Sequence, residues 1–131
     1  MMPLLILQFL LGMFASLFVT APAGSGNPIA LIFTSGSIVL ILHIAIAVLL
    51  VALSVALVLF SSLTRRRTAI VLSLVGLVFM ALAFFTGLAF VLGGYSNNEL
   101  SYGMAVAFIV SFVVYGALAG QGSDRPQSRP P

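Results

Sequence analysis

His43 is the only histidine of the chain, and it stands six residues into an apolar run that begins at Ile38. At 1.5 Å per helical residue it lies about 8 Å along the axis from that start, which puts it in one leaflet of a bilayer, expected to be the outer. A neutral imidazole at that depth could ligate a haem iron or another metal, hold a proton, or hydrogen-bond a quinone. His43 is therefore the candidate cofactor-binding residue, with haem or quinone as the group it would take. A haem held by two histidines cannot be built from one chain with one histidine, and Met is the other axial ligand on offer. The competing reading is a histidine hydrogen-bonded to a neighbouring helix.

A second candidate is the polar run Gly93-Gly94-Tyr95-Ser96-Asn97-Asn98-Glu99, followed by Ser101 and Tyr102. It falls on the same side of the membrane as His43. Tyr95, Asn97, Asn98, Glu99 and Tyr102 could form an outer polar site, with His43 joining Glu99 and a tyrosine to bind a proton or a quinone. A structural reading also accounts for them: Asn98 can cap the helix that follows, with Glu99 in its positive first turn.

Other chemistries find few residues. The apolar runs contain no Asp, Glu, Lys or Arg, which argues against a charge-lined ion path or a proton-coupled exporter. Gln8, expected in the inner half of the first run, suits bonding between helices. Cysteine is absent, so disulfides, thiolate metal sites and cysteine nucleophiles are excluded. Serines, the histidine and the two acidic residues are too scattered for a hydrolytic triad, and no phosphate- or dinucleotide-binding glycine pattern occurs. No metal site and no catalytic residue is assigned, and an enzyme is the less favoured reading.

The elements that must position these residues follow from composition. Of 131 residues, 62% are apolar and 5% charged, far from the near-half and one-quarter of soluble domains. Mean hydropathy is +1.30. A hydrocarbon core of about 30 Å needs roughly 20 apolar residues as a helix, and four such runs occur, at about 3–20, 38–60, 68–92 and 100–119. Unpaired amides are prohibitive in lipid and period-two alternation is missing, so each run is expected to be a helix rather than a barrel strand. The predicted fold is all-α: a four-helix integral membrane bundle forming one domain over residues 1–120, with a flexible cytoplasmic tail at 121–131.

All five basic residues are arginines: Arg65, Arg66 and Arg67 between the second and third runs, and Arg125 and Arg129 in the tail. With four spans both groups fall on one side, and cytoplasmic arginines then give N-in/C-in topology in the plasma membrane. Arginines confined to a loop and a tail are not the basic face that nucleic-acid binding needs. The first run is expected to be retained rather than cleaved as a signal peptide, because no basic residue precedes it and it exceeds the usual signal core. Within 21–37, an N-cap at Asn27 and a first helical residue at Pro28 predict a helix start.

Apolar side chains gain little by leaving lipid for one another, so the bundle must rely on small residues and interhelical hydrogen bonds. Helical spacing gives inward stripes of Gln8, Gly12, Ala15 and Val19; His43, Ala47, Leu50 and Ser54; Ser73, Gly76, Met80, Ala83 and Gly87; and Ser101, Met104, Phe108, Ser111 and Tyr115. Gly12, Gly76, Ala83, Gly87, Ser111 and Gly116 are the expected packing positions.

Length and span number invite comparison with small multidrug exporters and small fluoride channels. The exporters' membrane-embedded Glu is absent from the first run, and so is the channels' Gly-rich opening with its Arg. The functional expectation is a non-catalytic or accessory subunit of a larger membrane complex, respiratory complexes being one setting. Its partners would be the bilayer and other membrane subunits or further copies of itself. The alternatives are a haem- or quinone-binding redox protein using His43, and an oligomeric pore or carrier.

Overall fold

The computed structural model describes residues 1–18, 27, 30, 32–33, 38–93 and 95–121. Among them the chain is all-α, with four helices: α1 Met2–Phe18, α2 Ile38–Thr64, α3 Arg67–Leu92 and α4 Asn98–Gly120. Helices α2, α3 and α4 are long and apolar enough to cross a membrane, whereas α1, at 17 residues, is a shorter apolar helix. At 1.5 Å per residue α2 measures about 40 Å and α1 about 25 Å. Ala30, Ile32 and Phe33 are helical and Ile32 is buried; the expected start at Pro28 lies outside the described residues, as do the expected inward position Val19 and the tail beyond residue 121.

Helices α2, α3 and α4 run past the apolar stretches from which they were predicted. On α2 the extension is Ser61 to Thr64, where hydroxyls turn back on their own backbone: Ser62 Oγ donates to Leu59 O at 2.6 Å and Thr64 Oγ1 to Ser61 O at 2.8 Å. A serine that bonds its own helix carries no unmet donor into the lipid interface. Arg65 then takes a left-handed φ of 55° and Arg66 is extended, so two residues reverse the chain. At the other end, the Gly93 and Tyr95 amides donate to Ala89 O and Phe90 O, closing α3.

The helices form a ring in chain order. Helices α3 and α4 share the largest interface, α2 packs on α3, α1 on α2, and α1 touches α4 slightly. The diagonal pairs α1/α3 and α2/α4 have no backbone-level contact. Leu5, Leu50, Met80 and Tyr115, one from each helix, meet in the centre. Outward faces are covered with large apolar side chains, such as Phe9, Phe14, Leu42, Val55, Phe85 and Ile109. Exposed apolar surface on this scale is what a hydrocarbon solvent permits and water does not.

Glycines and serines make the close approaches. Gly76 lies directly under the Tyr115 ring, and Gly87 under the Met104 thioether. Ser54, Ser73 and Ser111 are fully buried, with their hydroxyls bonded to Leu50 O, Ile70 O and Phe108 O. Gly76 and Ala83 are also buried. Gly12 and Gly87 are half-buried, and Gly116 meets only the tip of Met2.

Candidate functional site: the Gln8, Gly12 and His43 seam

Helix α1 brings Gln8 and Gly12, one turn apart, against His43 of α2. Gln8 Nε2 lies 3.3 Å from His43 Nε2. An amide nitrogen can only donate, so Nε2 of the ring is the acceptor and the ring proton sits on Nδ1. Gly12 leaves room for the imidazole: a Cβ at this position would lie 3.0 Å from Cε1 and 3.6 Å from Nδ1. The amide and the ring, expected in opposite leaflets, thus stand face to face. The level is set in the core, where Leu5 of α1 meets Leu50 of α2, so Gln8, about one turn on from Leu5, comes up to His43, about two turns before Leu50.

The pair is incompletely satisfied. Gln8 is 6% exposed, yet Oε1 has no partner, and His43 Nδ1 has none either. An unmet buried donor or acceptor costs about 1–3 kcal/mol. Two further polar atoms share this state, Tyr95 Oη and Tyr115 Oη. Tyr115, 3% exposed, approaches Ser54 without meeting hydrogen-bond geometry, and the Ser54 hydroxyl is already spent on Leu50 O. The unpaired Tyr115 hydroxyl was not foreseen; a tyrosine facing Gly76 at helical spacing was the available signal.

The outer polar run does not converge on His43. Asn97, rather than Asn98, caps α4: its Oδ1 accepts from the Glu99 and Leu100 amides at 2.9 and 3.3 Å. Asn98 is the first helical residue, because the extended backbone falls one position earlier. Glu99 is exposed in the first turn, where a carboxylate complements the helix dipole. Tyr102 is 74% exposed. Tyr95 stacks edge-on against Phe90, with ring centroids 5.6 Å apart, and burial raises its pKa above the ordinary tyrosine range.

These residues do not fit a haem. His43 Nε2 is engaged by Gln8, and the chain holds no second histidine. No group of three or more His, Cys, Asp or Glu among the described residues could hold a metal ion. What the seam offers instead is one N–H donor and one carbonyl acceptor, both uncharged, in apolar surroundings. Arg65, Arg66 and Arg67 lie at the opposite end of α2 from His43, and all three are exposed. Comparison with known protein families, curated proteins and solved structures finds no match to this chain.

Proposed function

We propose that the chain is a non-catalytic subunit of a larger membrane assembly, set in the plasma membrane with both termini and the Arg65–Arg67 turn on the cytoplasmic face. The observation that carries this reading is where the interior polar groups go. Ser54, Ser73 and Ser111 each bond their own helix backbone, and Gln8 bonds across to His43. The serines spend their hydroxyls within their own helices, Gln8–His43 ties α1 to α2, and none of these groups converges on a reacting centre. The single-sided arginines support the orientation by the same physics that orients other membrane helices.

The test is extraction of the tagged full-length chain in a mild detergent, followed by native electrophoresis and mass spectrometry. The expected result is a discrete complex containing other membrane subunits at fixed stoichiometry, recovered equally when the tag is moved to one of those subunits. A lone chain or a pure homo-oligomer under the same conditions overturns the reading.

A further inference from the structure

The Gln8/His43 pair leaves over a specific set of hydrogen-bonding atoms. With Nε2 taken by the Gln8 amide, His43 presents Nδ1–H as a donor, and Gln8 presents Oε1 as an acceptor. Gln8 is more than nine-tenths buried, so Oε1 cannot turn to bulk water for a partner. Both atoms lie on the seam between α1 and α2, beside Gly12, against which the imidazole packs.

Helix α1 is also the most weakly attached of the four helices. It has no backbone-level contact with α3 and few with α4, and its buried residues are Leu5 and Gln8 alone. Beyond α2 it is held by Leu5 in the core cluster and by the stacked rings of Phe9 and Phe108, whose centroids are 6.4 Å apart. In a bilayer, exchanging an apolar helix contact for a lipid contact costs little, because both are hydrocarbon. A small outward displacement of α1 therefore opens the seam to whatever is dissolved in the membrane.

We propose that this seam binds the oxygen-bearing ring of a lipid-soluble quinone, with His43 Nδ1–H donating to a ring carbonyl and Gln8 Oε1 accepting from the hydroxyl of the reduced form. The chemistry selects this class. The ligand must travel in the bilayer, carry an uncharged oxygen that accepts from an imidazole N–H, and offer a hydroxyl donor in its other state. No electron transfer is assigned to the chain. The site is independent of the subunit reading, since an isolated bundle retains both side chains.

The single histidine makes the test direct. The full chain, with its histidine ring labelled with nitrogen-15 and reconstituted in lipid nanodiscs, is titrated with a decyl-substituted benzoquinone and in parallel with decylbenzene, which has the same body and no oxygen. The expected result is a saturable shift of the Nδ1 resonance with the quinone and none with the hydrocarbon. Gln8→Met, which keeps the volume and removes the amide, is titrated with the reduced quinol and should raise its half-saturating concentration about tenfold, the factor of one lost hydrogen bond. Ser16→Ala, on the exposed face of α1, should leave it unchanged. An Nδ1 resonance that does not move up to saturation of the bilayer, or moves equally with decylbenzene, overturns the proposal, as does an unchanged half-saturation in Gln8→Met. If Gln8→Met does not fold, the wild-type titration decides alone.

Discussion

Tyr115 lies against the backbone of Gly76 so closely that a Cβ on the glycine would stand 2.6 Å from Cζ and 2.7 Å from Cε1 of the ring. This contact joins α3 to α4 inside the largest interface of the bundle. A phenol ring cannot bend away as a flexible chain can, so Gly76→Ala must move a helix. Overpacking of this kind costs about 1–3 kcal/mol, more than the roughly 1 kcal/mol of helix propensity that alanine gains over glycine. The melting temperature in detergent should fall. Gly87→Ala meets the Met104 thioether, which can swing aside, and should cost less; Gly103→Ala enters open space and should be neutral or stabilising.

The Gln8–His43 bond is expected to be worth about 0.6 kcal/mol and at most about 1.7, the range found for hydrogen bonds between membrane helices. A double-mutant cycle of Gln8→Leu and His43→Leu, read by reversible unfolding in detergent, should return a coupling of that size. Additivity of the two single variants would mean that the contact does not hold α1.

Tyr115→Phe removes a buried hydroxyl that has no partner. Since the desolvation of such a group costs about 1–3 kcal/mol, the variant should melt at the same temperature as the parent or higher. A clear loss of stability would reveal a partner for Oη.

The cap of α4 separates two adjacent asparagines. Asn97→Ala loses two bonds to backbone amides and should cost about 1 kcal/mol, whereas Asn98→Ala, at the first helical position, should change the melting temperature little.

Orientation can be read without background, because the chain has no cysteine. Arg66→Cys and Arg125→Cys should react with an impermeant thiol reagent from the cytoplasmic side only, and Ser96→Cys from the opposite side only. Labelling of positions 66 and 125 from opposite faces would refute N-in/C-in topology.

The helices could be read from the chain before any packing was known. In hydrocarbon an unpaired amide is so costly that a long uncharged apolar run has helix as its one open-chain solution, and Ile38–Thr64 and Arg67–Leu92 needed only length and hydropathy. The Arg65-Arg66 reversal between them was legible for the same reason, since guanidinium groups must leave the lipid. Buried small and polar residues such as Gly76, Ser73 and Ser111 stood out because they are rare exceptions within otherwise apolar helices.

Register between helices was not legible. Where every outward face is apolar, sliding one helix along another by a turn exchanges hydrocarbon for hydrocarbon, and the pattern along a single helix carries no penalty that would forbid it. Only the tertiary structure set α1 at the height where Gln8 meets His43 and laid Tyr115 over Gly76. Both depend on close contacts between atoms distant in the chain, and such contacts arise only once the helices have packed; the choice of Asn97 over its neighbour as the cap is local, set by where the backbone turns from extended to helical.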